Sequence, residues 1–493
     1  MAGLAAANLL GRKGRRVLLL EAHDVPGGYA HTFEMRGFRF CAQVHYIFGC
    51  GEGGTVDTFL REIEVREEVP FVRLDPEGFD HVVVAGDRVR IPNGLLTFQS
   101  RLIRRYPQWR TPIIRYFEAV EAVARELSDE RELPGGFGPI ALAAAALRFP
   151  NLLRHQRHTL ADVYDKIAMP PHLRAVLAGQ SGDYLLPPEE VSFILHVALV
   201  HGYDRGAYYP RKHFGHFVDT IAKAFTRLPG CEMRLGTTVS RIHVERGRVA
   251  AIETTTGERF TAERYVSNMD PARTWQLAGE RHMTRAERKG AQYAYSCATF
   301  TMYLGVTGLD LREHGFGSHN VWHYPHSDIG RMYKDQLARH DLSDPWLFMS
   351  TPSLHTDEPG ICPPGHQILE LCTACDYQHM ADLRERDRRA YNVEKKKIRD
   401  RILDIVEQCY VPGLREHLSM RVTGSPATNA RYCRAPQGNS YGASLTPANV
   451  TLDRKPVQTS LGNLYLANAT AGMPSVSGAI GSGVKLAREL CGA

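Results

Sequence analysis

Apolar positions along the chain switch between helical and strand spacing. From Ala2 to Leu10 the residues are small or aliphatic, a helix-forming run closed by Gly11 and Gly14. Arg12 and Lys13 stand where cations suit a helix C-terminus. Val17-Leu18-Leu19-Leu20 is a continuous apolar run ended by Glu21, the pattern of a strand buried on both faces of a parallel sheet. Helix then strand is the second half of a βαβ unit. Residues 38–49 predict a strand or turn, and residues 79–94 a hairpin with Gly86-Asp87 at its turn. Residues 97–132 predict helix: Phe98, Leu102, Ile103 and Tyr106, then Ile113, Ile114, Phe117 and Val120, recur at helical spacing. Helices resume through Val200.

The second half follows the same logic. Phe214, Phe217, Val218, Ile221, Phe225 and Leu228 share one face of an amphipathic helix over 214–228. Residues 232–268 alternate apolar and polar, with turns at Arg246-Gly247 and Thr256-Gly257, and end in the short apolar run Tyr265-Val266. That is a β-meander returning to a parallel sheet. Residues 291–305, 346–351 and 366–377 predict strands of a second sheet, and 378–410 a charged helical hairpin. Residues 463–468 predict the last parallel strand, and a helix from about Ser477 to Leu490 closes the fold.

At 493 residues the chain is too long for one compact core, so two domains are expected. Its 43% hydrophobic and 23% charged residues are ordinary for a globular protein. A net charge of +6 is compatible with an anionic membrane surface and gives little reason to invoke nucleic acid. The ten cysteines form no framework. Cys372 and Cys375 make one C-x-x-C without a second pair at zinc spacing, so no metal site is expected and a structural pair on a strand is. No stretch reaches the roughly 18 apolar residues that span a membrane. Phe137–Leu153 is apolar, too short to span, and followed by Arg154, His155, Arg157 and His158. It predicts either a peripheral membrane contact or an ordinary lid helix. The expected location is cytoplasmic, with that contact at a membrane surface.

The opening "MAGLAAANLLGRKGRRVLLLEAHDVPGG" carries the first chemistry. In a dinucleotide-binding βαβ unit the helix starts at the last glycine of G-x-G-x-x-G, and an acid about 20 residues on takes the ribose hydroxyls. Gly3 fits that glycine and Glu21 fits that acid. Alone they could be incidental, with Glu21 merely ending a strand. Gly27 and Gly28, just past Pro26, add a backbone that can approach a pyrophosphate with no side chain in the way. The first strand and first two glycines of the fingerprint would precede Met1. The expectation is therefore that Met1 is an internal residue of a longer natural chain, and that the chain as written holds its dinucleotide poorly.

Three segments, in order, resemble the flavoprotein family of bacterial-type phytoene desaturases, carotenoid isomerases and retinol saturases. They are "LLLEAHDVPGGYAHTFEMRGFRFCAQVHYIFG" with the "AGLAAANLL" before it, "YYPRKHFGHFVDTIAKAF" (208–225), and "LGNLYLANATAGMPSVSGAIGSGVKLAREL" (461–490). The resemblance implies an α/β fold: a glutathione-reductase-type, Rossmann-like FAD-binding domain interleaved with an α+β substrate domain. The FAD domain would comprise 1–75, 211–272 and 455–493, and the substrate or membrane-facing domain 76–210 and 273–454. Gly3, Glu21, Gly27 and Gly28 would hold the diphosphate and adenosine ribose. Thr238 and Val239 would read the adenine from a strand backbone. Gly478, Ala479 and Ile480 would lie at the flavin ring edge. The sequence departs from the family pattern at Cys41, commonly Asp, and Gln43, commonly Gly. Asn468 and Thr470 likewise replace a usual Gly and acid.

No convincing acid–base pair is legible, which suits hydride transfer at a polyene, where the cofactor carries the chemistry. His45 and Tyr46 in "QVHYIFG" and Tyr441 in "PQGNSYG" are the candidate catalytic residues, and each is equally readable as packing. The resemblance implies an FAD-dependent oxidoreductase of a carotenoid- or retinoid-like isoprenoid, working by desaturation, saturation or redox-gated isomerisation. NAD(P)H, oxygen or a quinone could complete its cycle. The alternatives are a non-catalytic prenyl carrier like the Rab GDP-dissociation inhibitors, and a soluble FAD-dependent amine oxidase.

Overall fold

The computed structural model describes residues 1–128, 147–450 and 454–492. Two parallel strand pairs carry the helix-and-strand pattern read from the two ends of the sequence. Val17–Leu20 runs beside Cys231–Arg234, with Val17 opposite Cys231 and Leu20 opposite Arg234. Tyr265–Ser267 runs beside Leu464–Leu466. The helix Ala2–Arg12 leads into the first pair, and the helix Val476–Cys491 follows the second. Small residues let these two helices meet closely. A Cβ on Gly483 would lie 2.3 Å from the Ala2 carbonyl oxygen, so only glycine fits there. The amphipathic helix forms as His213–Thr226 and buries Phe214, Phe217, Val218, Ile221 and Phe225.

The meander is three antiparallel strands, Val239–Glu245, Arg248–Thr254 and Arg259–Phe260. Its first turn is Arg246-Gly247, both at positive φ as a tight hairpin of this hand requires.

A seven-stranded mixed sheet forms the other layer, in the order Leu418–Gly424, Ala298–Thr307, His366–Cys375, Leu347–Ser350, Asn320–Tyr324, Asp80–Val84, Asp87–Ile91. The hairpin of residues 79–94 thus joins strands more than 200 residues away. Asp80–Val84 lies parallel to Asn320–Tyr324, with Asp80 opposite Asn320. Its turn falls at Ala85-Gly86, one residue before the expected pair. The charged hairpin Tyr377–Arg386 and Arg388–Cys409 covers the outer face, burying Ile398, Ile402, Leu403 and Val406.

Two expectations change. The helix over 97–132 is two helices, Leu95–Arg105 and Arg110–Leu127, because Pro107 removes a donor and pushes Tyr106 out of helical backbone. Cys372 and Cys375 are free and buried; three residues apart on one strand, they face opposite sides of the sheet and are not a pair. Most of Phe137–Leu153 lies outside the described residues. Among its basic neighbours, His155 is buried against Phe193, ring centroids 4.9 Å apart, and burial pulls its pKa down to about 4. His158 Nε2 sits 2.6 Å from Lys166 Nζ as a neutral acceptor. Only Arg154 and Arg157 of the four stand exposed. No described helix is long and apolar enough to cross a membrane.

Candidate active site

A cavity of 1730 Å³ lies between the parallel pairs and the mixed sheet. Its lining includes Gly3, Glu21, Gly27, Gly28, Thr238, Val239, Ala479, His45, Tyr46 and Tyr441, ten of the twelve residues singled out from sequence. Gly478 and Ile480 do not line it. Successive residues of a helix point about 100° apart, so Gly478 packs on Met473 and Ile480 goes fully into the core. Ser475, Val476 and Ser477 take their place at the cavity wall.

One end of the cavity offers backbone. The helices Ala2–Arg12 and Val476–Cys491 both start at it, and neither has an acid in its first turn. Such helix starts attract anionic groups. The Gly3 N–H donates to Asn268 Oδ1 at 3.0 Å, and Ser475 Oγ caps the second helix by accepting from the Gly478 N–H at 3.0 Å. Gly27 and Gly28 stand at φ +113° and +58°. A Cβ on Gly27 would meet Val218 at 2.9 Å, whereas one on Gly28 would enter open space. Glu21 extends the parallel ladder past Leu20, its N–H bonding Arg234 and its carbonyl accepting from Thr237. Its Oε1 accepts the His23 N–H at 2.9 Å. Thr238 accepts from the Thr255 N–H, and Val239 begins the meander.

The departures from the family pattern are built in. Asn468 Oδ1 accepts the N–H groups of Thr470 and Ala471, and its Nδ2 donates to the Met269 carbonyl at 2.8 Å. Thr470 Oγ1 accepts the Ala443 N–H. Gln43 Oε1 accepts from Thr299 Oγ1 at 3.0 Å. Burial pushes the Cys41 thiol up to about 12, so it is inert.

The other end is aromatic and polar at once. Tyr46 stacks on Tyr203 with centroids 4.8 Å apart, and Trp322, Trp346 and Phe348 continue the wall. His45 Nδ1 lies 2.6 Å from Oε2 of Glu370, a carboxyl in the middle of a buried strand. The Tyr46 hydroxyl lies 2.9 Å from Asp80 Oδ2 and 2.7 Å from Asp183 Oδ2. The Tyr441 N–H donates to Ser296 Oγ at 2.8 Å, and burial holds its phenol well above the usual range. Sequence reasoning missed Asp80, Asp183 and Glu370. Glu370 had a signal, an acid inside the apolar run "QILELCTA" on a strand buried on both faces. Asp183 had none. The described residues hold no cluster of three or more metal-ligating side chains.

The family profile described as "Flavin containing amine oxidoreductase" matches residues 1–279. The chain belongs to that family. Its members are flavin-containing oxidoreductases, which implies FAD here; the match carries no support for a nicotinamide cofactor. Similarity to curated relatives runs over most of the chain. The all-trans-retinol 13,14-reductase of Danio rerio is 24% identical, covering 97% of this chain and 82% of that protein. Prolycopene isomerase 1, chloroplastic, of an Oncidium hybrid cultivar is 22% identical over 89% of this chain and 73% of its own. The phytoene desaturase (lycopene-forming) of Pantoea ananas is 28% identical over 97% and 95%. The fold is that of wild-type putrescine oxidase bound to putrescine, with a TM-score of 0.65 at 13% identity over 100% of this chain and 97% of that one. The glycine turn, the two helix starts and Glu21 are a donor and acceptor set that fits a flavin dinucleotide.

Proposed function

We propose that this enzyme is an FAD-dependent oxidoreductase acting on the conjugated double bonds of a carotenoid- or retinoid-like isoprenoid. One observation carries the reading: the cavity joins a phosphate-suited backbone end to an aromatic end walled by Tyr46, Tyr203, Trp322 and Phe348. Such walls take a long apolar chain, at about 25 cal/mol per Å² of apolar surface removed from water. The polyene-acting names of the full-length relatives support the same substrate class. The likeness to amine oxidases is one of fold.

FAD would be held by Gly3 and the following helix start, Glu21, Gly27, Gly28, Thr238 and Val239, with Ser475–Ser477 and Ala479 toward the ring. Bound there, it supplies hydride transfer to or from a polyene carbon. The chain's own residues exclude water from the aromatic end and place polar groups, His45, Tyr46, Asp183 and Tyr441, along the cavity wall. The division into an FAD domain of 1–75, 211–272 and 455–493 and a substrate domain between them is supported by the lining. The proposed FAD contacts come from the first set, and Asp183, Trp322 and Phe348 from the second. A peripheral membrane contact near Leu147, which is 88% exposed, would give such a substrate a route in. Liposome flotation that leaves the protein unbound at low salt removes that part.

The test is anaerobic turnover. Purified protein should carry a flavin spectrum. After chemical reduction it is incubated with all-trans-retinol or lycopene, and oxidised enzyme with phytoene, and the products are read by chromatography and mass. A two-hydrogen mass change or a double-bond isomer is expected. Inertness toward all three polyenes, with a primary amine bleaching the oxidised flavin anaerobically and peroxide released once air is admitted, overturns the reading in favour of amine oxidation.

A further inference from the structure

Two carboxyl groups, Asp80 in the core and Asp183 half-buried at the cavity wall, share one hydroxyl. Tyr46 carries a single O–H hydrogen, yet its oxygen lies within hydrogen-bond distance of both. It can donate to only one. The second carboxyl oxygen must bring its own proton, or two lone pairs face each other at under 3 Å.

The other partners decide which. Asp80 Oδ2 also accepts from Gln180 Nε2 at 2.7 Å, and Asp80 Oδ1 from Asn320 Nδ2 at 3.1 Å. With Tyr46 that is three donors, enough to hold a carboxylate. Asp183 has the Tyr46 hydroxyl and, among the described residues, nothing else; its Oδ1 takes no hydrogen bond. Asp183 also lines the cavity, whereas Asp80 is fully buried behind it. The titratable groups that face Asp183 from neighbouring elements are Tyr46, Asp80, Tyr184, Tyr203, Tyr324, Tyr441 and Cys372. None is a cation. Two like charges this close and this dry do not both ionise.

We propose that Asp183 is the catalytic acid of this site, kept neutral by the Asp80–Tyr46 relay behind it, and that its O–H, which rests on the Tyr46 oxygen, turns into the cavity to give its proton to a polyene carbon. The proposal rests on the polyene reading of the cavity. A hydride accepted from reduced flavin forms a C–H bond at one carbon of the double bond. The π pair forms the second C–H bond with the Asp183 proton as its O–H bond breaks. The polyene gains two electrons and two hydrogens, the flavin is oxidised by two electrons, and Asp183 is left as carboxylate. The Tyr46 hydroxyl then swings toward it, and a proton from solvent restores the acid. A neutral acid donates rather than abstracts, so the resting site favours saturation, or isomerisation begun by protonation, over desaturation. Tyr46 and Asp80 are positioning residues. Burial and the Asp80 charge both raise the Asp183 pKa well above the ordinary aspartate value, in keeping with this state.

The experiment compares flavin-loaded parent enzyme with Asp183→Asn and Asp183→Glu. Infrared difference spectra at pH 8 should show a protonated-carboxyl C=O band in the parent that vanishes in D183N. Turnover of all-trans-retinol by chemically reduced enzyme should fall about 100-fold or more in D183N, the scale of a lost general acid. D183E, which keeps an acid, should recover at least about a tenth of the parent rate. The parent rate should fall as pH rises through the raised Asp183 pKa. Absence of the band, or a D183N rate equal to the parent, overturns the assignment. A parent that shows the band but reduces no polyene overturns the proposed reaction while leaving the proton on Asp183.

Discussion

His45 Nδ1 and Glu370 Oε2 lie 2.6 Å apart, and each is the other's polar partner at the cavity's inner wall. Glu370 Oε1 and His45 Nε2 have no further partner among the described residues. Burial raises the Glu370 pKa and His45 opposes the rise. Replacing His45 by Phe keeps the ring volume and strands the carboxyl. Its folded-state pKa then moves still further above the unfolded value, so the penalty is felt above that range and fades as pH falls toward it. His45→Phe should cost about 3 kcal/mol at pH 8 and clearly less at pH 5, read by urea unfolding at both. An equal loss at the two pH values would show that Glu370 is not the group that suffers.

Gly27 and Gly28 should fail differently. Alanine at Gly27 meets Val218 at 2.9 Å and sits at φ +113°, so it should destabilise the fold by roughly 2–3 kcal/mol. Alanine at Gly28 meets nothing within 4 Å and should lose only about 1 kcal/mol to its left-handed φ. Its methyl group instead enters the cavity, and flavin affinity should drop about tenfold or more. Thermal unfolding of apoprotein and flavin titration separate the two. Equal flavin affinity in Gly28→Ala and parent removes Gly28 from the cofactor site.

Glu21→Ala tests the ribose contact directly. A charge-assisted hydrogen bond is worth about 1.5–3 kcal/mol, so flavin should dissociate about 10- to 100-fold more readily. The fold has little stake in this side chain, whose one hydrogen bond among the described residues is from the His23 N–H. Ultrafiltration of the holoprotein reads the difference, and unchanged retention counts against the contact.

Acid sensitivity has a nameable source in His196. Its Nε2 lies 2.7 Å from the Tyr116 hydroxyl in a fully buried setting, and desolvation lowers its pKa to about 3. The unfolded chain takes up that proton near pH 6.5, but the folded one cannot until far lower. This stability is therefore whole above pH 6.5 and is lost as pH falls. Between pH 7 and pH 5 the loss is about 2 kcal/mol. His196→Phe should lower stability at both values by leaving Tyr116 unpaired, yet shrink the difference between them by about that amount. A difference unchanged from the parent assigns the acid sensitivity elsewhere.

Local pattern carried far in this chain where one element decides its own form. The meander turn at Arg246-Gly247, the amphipathic face from Phe214 to Phe225 and the parallel run Val17–Leu20 need only their neighbours in sequence. The turn at the glycine pair and the place of Glu21 at the end of the parallel strand were legible for the same reason. Rotation within a helix was not: Ala479 faces the cavity while Gly478 and Ile480 turn away, because packing on Met473 and the core sets the phase. The acid relay was least legible. Asp80 and Asp183 are about a hundred positions apart, and the pairing of Asp80–Val84 with Asn320–Tyr324 gives Asp80 an amide donor beside Gln180, whereas Asp183 has none among the described residues.

The closeness of Ala2 to Gly483 also sets a timetable. The first helix and the helix Val476–Cys491 are made far apart in the order of synthesis, and the cavity wall needs both. A nascent chain that has emerged only to the Leu464–Leu466 strand presents an unsealed groove, with the small-residue face of its first helix bare to water. Cofactor capture must therefore follow emergence of both helices. Between that emergence and capture the chain depends on the cellular flavin pool, since a ligand that binds only the closed form stabilises it by mass action. Riboflavin starvation should then show itself first as faster proteolytic turnover of this protein, before any loss of specific activity in the molecules that survive.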